Sequence, residues 1–276
     1  MEAHTVSLPR ARGVSGFRHF LYVTAALAST EFKLRYFGSV LGYMWTLLRP
    51  LLLFGILFVV FTQIVRFGNA VPHYPVVLLT GIVLYSFFSE ATSAALQSFV
   101  QRDNLLRKVA FPRAAVPVAV TLTAAVNSAL GLAVVVGLAL FDGVTPRLTW
   151  LLVIPVVLGL VAAAACVSLA LAVLYVKFRD MRPIWEVLLQ LMFWGSPIIY
   201  AIEAVPASFR PLLMVNPFSV IVQQVRVWLI DPNAPTAAQA AGSPVLLLVP
   251  LAVTLAVIAL SAWALRQASR GLAEDL

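Results

Sequence analysis

Charge is scarce in this chain. Asp, Glu, Lys and Arg make up 11% of its 276 residues, while 62% are hydrophobic; soluble domains carry about 25% charged residues. Such a composition cannot cover a globule with polar surface, so the solvent it implies is a lipid bilayer. Lysine is rarer still. Lys33, Lys108 and Lys177 are the whole set, and none follows a glycine. A phosphate-cradling loop needs glycines and then a lysine, so ATP hydrolysis by that route is excluded. The three histidines, His4, His19 and His73, form no metal-binding spacing. Cys166 stands alone, which excludes an intrachain disulfide and a cysteine metal cluster. No serine sits in a G-x-S-x-G elbow, and no acidic cluster on one loop could run glycosyl chemistry. No catalytic residues and no metal ligands are expected, and an enzyme is disfavoured.

What is present is long apolar runs. About 20 apolar residues cross a hydrocarbon core of roughly 30 Å, and in lipid the crossing backbone must be helical because unsatisfied amides are costly there. Six spans are expected, at Trp45 to Val65, Tyr74 to Val100, Ala114 to Phe141, Leu148 to Val176, Ile184 to Tyr200 and Pro244 to Leu265. The net charge of +8 does not point to nucleic acid, because the basic residues are scattered in short segments between the runs. Their distribution gives topology instead. With the N-terminus inside, the cytoplasmic segments hold Arg10, Arg12, Arg18, Lys33, Arg35, Arg49, Arg102, Arg107, Lys108, Arg113, Lys177, Arg179, Arg182, Arg266 and Arg270. The other face holds only Arg66, Arg147, Arg210 and Arg226. Both termini are therefore expected in the cytoplasm.

The first 44 residues read as a separate unit. A basic front, the apolar stretch "FLYVTAALA" and an Ala-Leu-Ala imitate a cleavable signal. A charged amphipathic stretch leading into a span follows, however, and not a secreted domain. Phe17, Phe20, Leu21, Val23 and Leu27 alternate with His19, Thr24, Ser29 and Thr30, as in a helix lying in the membrane interface; a disordered tail is the alternative. The stretch "YFGSVLGYMWTLLRP" then turns the chain into the first span. Gly38 and Gly42 allow close approach, Tyr43 and Trp45 suit headgroup depth, and Arg49-Pro50 predicts a bend or a late helix start. Residues 45–276 are expected to form one transmembrane domain.

Several features in that domain carry two readings. The loop "QRDNLLRKVAFPRAAVPV" either stands off the membrane as a short helix or anchors spans at the headgroups. Glu90, inside the second span, serves transport or packing. The stripe Phe54, Phe58, Phe61 faces lipid, neighbouring helices or a sugar pathway, and so does the stripe of Tyr85, Phe88 and Phe99 with Thr92. In "VKFRDMRPIWEVLLQLMFWGSPIIY", Glu186 and Gln190 are one turn apart on one face, while Trp185 and Trp194 cannot share one. Gly195 and Pro197 weaken the end of that span. Phe209 to Val215 and Phe218 to Ile230, split by Asn216-Pro217, are each too short to cross. They read as two re-entrant or interfacial outer helices within 205–231, or as a surface loop.

"EFKLRYFGSVLGYMWTLLRPLL", "LLRKVAFPRAAVPV", "VKFRDMRPIWEVLLQLMFWGSPIIY" and "VNPFSVIVQQVR", in this order, resemble the ABC-2 type permeases that export O-antigen, teichoic acid and related polysaccharides. The resemblance runs from about Phe17 to the C-terminus. It implies an all-α membrane protein of the bacterial cytoplasmic membrane, with six transmembrane helices, an N-terminal interfacial helix and two short outer helices before the last span. It implies a homodimer paired with two copies of a nucleotide-binding ATPase subunit, so that ATP and magnesium are bound by the partner and this chain carries no cofactor. Within the loop 101–113, the resemblance makes Arg102, Asp103, Asn104, Leu105, Leu106, Arg107, Lys108 and Phe111 the helix that docks on the ATPase. It puts Tyr43, Trp45, Phe54, Phe58, Trp185, Phe193, Trp194 and Tyr200 near the channel. Asn216, Pro217, Gln223 and Arg226 fall in an outer gate. Lys33, Arg35 and Arg49 offer positive charge where a lipid pyrophosphate head group would enter.

The expected function is thus the permease subunit of an ATP-driven transporter that moves a lipid-linked polysaccharide outward. An ABC-2 exporter of a small hydrophobic compound or drug is the alternative within transport; a membrane glycosyl- or acyltransferase is the alternative from another class. The glycan itself is open between O-antigen, teichoic acid and cell-wall galactan.

Overall fold

The computed structural model describes residues 16–36, 43–66, 68–102 and 112–275, and among them the regular elements are helical. Helix α1 is Gly16–Tyr36. Helix α2, Met44–Val59, is extended by a wide turn at Val60–Ile64. Helices α3, Tyr74–Leu96, and α4, Ala115–Phe141, form an antiparallel pair. A tight turn at Leu148–Leu152 leads into α5, Val153–Lys177. Helix α6 is Met181–Trp194, and α7, Pro217–Val225, continues in a wide turn to Ile230. Helix α8, Leu248–Asp275, closes the chain. Among the described residues, 44–64, 74–96, 115–141, 148–177 and 244–263 are long and apolar enough to cross a membrane.

The bundle is built around α3. It is the least apolar of those five segments, with a mean hydropathy of 1.5, yet 72% of its apolar window is buried. It packs against α2, α4, α5 and α6. Protein, not lipid, therefore surrounds it, which is why it tolerates Thr80, Ser86, Ser89, Glu90 and Thr92. Small residues let its neighbours come close: the Cα hydrogens of Gly81 face Ile198, and Gly131 of α4 faces Val83. Hydroxyls bridge the helices: Thr121 donates to Ser168 at 3.1 Å, and Ser261 of α8 donates to the Cys166 carbonyl at 2.6 Å. At the other extreme, none of the apolar window of α2 is buried, and only 11% of the last span's is. Those faces are left for lipid or for another subunit.

Three local outcomes differ from the sequence expectation. The fifth span, expected as one helix to Tyr200, is a 14-residue helix followed by non-helical chain. Fourteen residues reach only about 21 Å. Pro197 has no N–H to extend the ladder, so the helix stops at Gly195. The segment nonetheless follows the whole length of α3. Trp185 Nε1 donates to Thr92 Oγ1 at 3.0 Å, Tyr85 Oη to the Leu189 carbonyl at 3.1 Å, and Tyr74 Oη to the Ile199 carbonyl at 2.8 Å. Of the two short helices expected before the last span, the first is a single turn at Arg210–Leu213, and only the second, α7, is sustained. Helix α2 starts at Met44 with Pro50 inside it, so Arg49-Pro50 does not delay its start. The missing proline N–H frees only the Thr46 carbonyl, a loss that intramembrane helices tolerate.

The close approach at Gly81 sets a test. A methyl group there would meet Ile198 Cγ2 at 2.9 Å and its Cα at 3.1 Å, whereas at Gly55 it would meet nothing within 4 Å. Gly81→Ala is expected to lose roughly 1–2 kcal/mol, the overpacking outweighing the gain in helix propensity. Gly55→Ala is expected to be neutral or stabilising. Thermal unfolding of the two purified variants beside the parent checks the contrast.

Candidate functional site

A groove of about 310 Å³ opens between α2, α3 and α6. Tyr85, Ser89 and Ser93 stand at i, i+4 and i+8 on α3, so their side chains form one polar line. Glu186 and Gln190, also four apart, face them from α6, while Leu53, Leu189 and Phe193 supply apolar wall. The Tyr85 ring fixes the geometry. It packs on Phe193 with centroids 4.8 Å apart and on Phe218 at 6.3 Å, while its hydroxyl holds the α6 backbone. At one end Arg182 Nε donates to Glu186 Oε1 at 3.1 Å. The arrangement offers hydroxyls, an amide and a carboxylate beside aromatic and aliphatic surface. That combination suits a ligand with many hydroxyls and apolar C–H faces.

The residues named for the channel do not all gather there. Phe193 lines the groove but is itself buried, and Trp185 is half-buried against Phe88 at 6.3 Å. Phe54 and Phe58 stack at 5.6 Å and lean on the helical core. Trp45 and Trp194 are exposed, at 49% and 56%. Tyr43 Oη reaches the Val126 carbonyl at 3.3 Å, and Tyr200 Oη the Trp194 carbonyl at 3.1 Å. Ser89 and Ser93, which the sequence reading passed over, are among the residues that do face the groove. Their four-residue spacing after Tyr85 puts them on one face of α3, but it does not say which helix that face meets.

Glu90 takes a packing position. Asn127 Nδ2 of α4 donates to Glu90 Oε1 at 3.1 Å, and both residues line a cavity of about 20 Å³ beside Thr46 and Pro50. Their contact ties α3 to α4 at the point where α2 crosses them.

Helix α1 rests on α4, with Thr123 Oγ1 donating to the Ala28 carbonyl at 3.4 Å. Between them lies a largely apolar cavity of about 640 Å³ walled by Ala28, Phe32, Leu122 and Val126, with Lys33 among its lining residues. Lys33 and Arg49 are exposed. Arg35 belongs to α1, but its side chain lies outside the described residues. Arg102 pairs with Glu31 of α1, and burial lowers its guanidinium pKa below the ordinary arginine value. The rest of the expected docking helix, Asp103, Asn104, Leu105, Leu106, Arg107, Lys108 and Phe111, lies outside the described residues.

The segment named as a gate is held firmly. Asn216 Oδ1 accepts from the Phe218 N–H and so caps α7, with Pro217 in the first turn. Asn216 Nδ2 donates to Ser196 Oγ at 3.0 Å, and Ser219 Oγ to the same oxygen at 3.2 Å. Phe218 packs on Tyr85 and Phe88, eleven and fourteen residues into α3 and therefore about 16–21 Å from its start. Gln223 Nε2 donates to the Pro235 carbonyl at 2.6 Å. Arg226 is buried and grips Glu203 through two bonds, at 2.7 and 3.0 Å.

Residues 22–230 match the ABC-2 type transporter family. The chain is 29% identical over 197 residues to the O-antigen export system permease protein RfbA of Klebsiella pneumoniae, covering 71% of this chain and 75% of the relative. To the protein of the same name from Myxococcus xanthus it is 32% identical over 196 residues, covering 70% and 74%.

The Arg226–Glu203 pair is asymmetric, since Arg226's side chain is 5% exposed and Glu203's 42%. Removing the carboxylate strands a buried cation; removing the cation leaves a carboxylate that water reaches. Glu203→Gln is expected to destabilise by about 3 kcal/mol, and Arg226→Met by clearly less. Thermal midpoints of both variants test this, and the reverse order would refute it.

Proposed function

Because the chain belongs to the ABC-2 type transporter family, we propose that it is the membrane-spanning permease subunit of an ATP-driven exporter, and that its cargo is a lipid-linked polysaccharide. The observation that carries the cargo reading is the groove, with polar lines on α3 and α6 facing each other beside aromatic surface. A glycan presents alternating hydroxyls and C–H faces, and both walls answer it. The names of the two relatives point the same way. A small hydrophobic drug would have little use for Ser89, Ser93, Glu186 and Gln190.

ATP is hydrolysed by a separate nucleotide-binding subunit, since this chain has no phosphate-cradling lysine. Two copies of that subunit serve a permease homodimer in the bacterial cytoplasmic membrane, with both termini inside. The unburied face of α2 gives the second permease copy a place to pack, so that the groove becomes one wall of a shared channel. The loop from Arg102 to Phe111 docks on the ATPase. When the ATPase subunits close, that loop moves as a rigid body. The Glu31–Arg102 pair passes the displacement to α1 as well as to the spans. The pyrophosphate head group enters beside Lys33, Arg35 and Arg49. The segment around α7, which re-enters the membrane from the far side, closes the exit between cycles.

Two outcomes test this reading. Depleting the chain from its native cell is expected to leave a polyprenyl-linked polymer accumulating on the cytoplasmic side, read by lipid extraction and glycan analysis; an unchanged lipid-linked pool contradicts the cargo. The double charge reversal of Lys33 and Arg35 to Glu is expected to reduce export severalfold at normal protein level, because headgroup attraction is worth about 1 kcal/mol per basic residue. Untouched export removes those residues from the entry site.

A further inference from the structure

The groove's described lining carries a single charged side chain. Among the described residues that wall it, Glu186 alone carries a formal charge; the others are hydroxyl, amide, aromatic or aliphatic. Its partner Arg182 sits one turn back, and the contact engages one carboxylate oxygen. Both side chains are more than half exposed, at 58% for Arg182 and 60% for Glu186. Such a pair is solvated and holds the carboxylate weakly.

Hydrogen-bond chemistry then separates two kinds of polymer. A neutral sugar hydroxyl donates to Glu186 and accepts from Ser89, Ser93 or the Gln190 amide, so every polar group on the wall can be paired. A phosphodiester linkage is an acceptor with a negative charge. It meets a like charge at Glu186 and finds no lysine or arginine opposite it on the α3 wall. Phosphate recognition elsewhere uses cations for this purpose, arginine above all. Discrimination of this kind rests on the mismatch against the wrong partner as much as on the fit to the right one.

We propose that the groove selects uncharged glycans over phosphodiester-linked polymers, and that Glu186 is the residue that discriminates. The proposal rests on the polysaccharide-export reading and narrows it to a substrate class.

The test uses the permease with its ATPase partner, reconstituted in liposomes. Two synthetic probes are compared: a polyprenyl diphosphate carrying a neutral oligosaccharide, and the same lipid carrying an equally long phosphodiester-linked chain. The parent complex is expected to respond, in substrate-stimulated ATP hydrolysis, to about tenfold less of the neutral probe. Glu186→Gln, which keeps the shape, narrows that ratio, and Glu186→Lys abolishes or inverts it. Ser93→Lys places a cation on the opposite wall and raises the response to the phosphodiester probe, so the proposal stays testable where a Glu186 variant fails to assemble. Equal response of the parent to both probes, or a ratio that no variant moves, overturns the selection. Silence toward both probes overturns the export reading itself, and the selection with it.

Discussion

The break after Trp194 leaves backbone carbonyls that no helix satisfies, in a protein whose surroundings supply little water. Each such group is worth several kcal/mol in lipid, so other side chains have to receive them. Tyr200 donates to the Trp194 carbonyl, Tyr74 to the Ile199 carbonyl, and Ser219 reaches the Gly195 carbonyl at 3.5 Å. Asn216 and Ser219 converge on the Ser196 hydroxyl. Two consequences follow. The donors have to be buried, which puts α3 in the centre of the bundle. The segment before the last span also has to fold back, because α7 carries Asn216 and Ser219 to the break.

The groove is a by-product of the same arrangement. Tyr85 can reach the α6 backbone only if α3 and α6 lie side by side, and that alignment faces Ser89 and Ser93 toward Glu186 and Gln190. A helix running unbroken through residue 200 would have no need of Tyr74 or Ser196 as partners. The anchor that holds α6 and the lining that a cargo would meet are therefore built from adjacent turns of the same helix.

Much of this was legible in the sequence. Apolar runs placed the long helices to within a few residues, because hydrocarbon thickness fixes their length. Asn216-Pro217 marked the break between the two short pieces, because proline cannot continue a helix from the preceding turn, and the structure starts α7 there. Gly195 and Pro197 announced the weak end of α6. What could not be read was which face of each helix met which neighbour. Phe193 and Trp185, both expected near a channel, also pack on α3, and an aromatic residue looks the same in sequence whether it lines a path or fills a core. Ser89 and Ser93 were overlooked for the converse reason: a serine in a transmembrane helix can satisfy itself on its own backbone, so its spacing carries little signal until a facing helix is known. Pro50 was weighed as a bend or a late helix start; the late start does not occur, because α2 absorbs the proline with the loss of one bond.

The central claim is that the groove between α2, α3 and α6 is the path of a polysaccharide. Single cysteines at Ser89 and Ser93, in a chain whose Cys166 is replaced, can be exposed to a water-soluble maleimide in membranes containing the partner ATPase. The account predicts that both positions are labelled, and that a lipid-linked polysaccharide trapped during ATP turnover protects them. Positions that stay unlabelled, or labelling that the polysaccharide does not change, would contradict it.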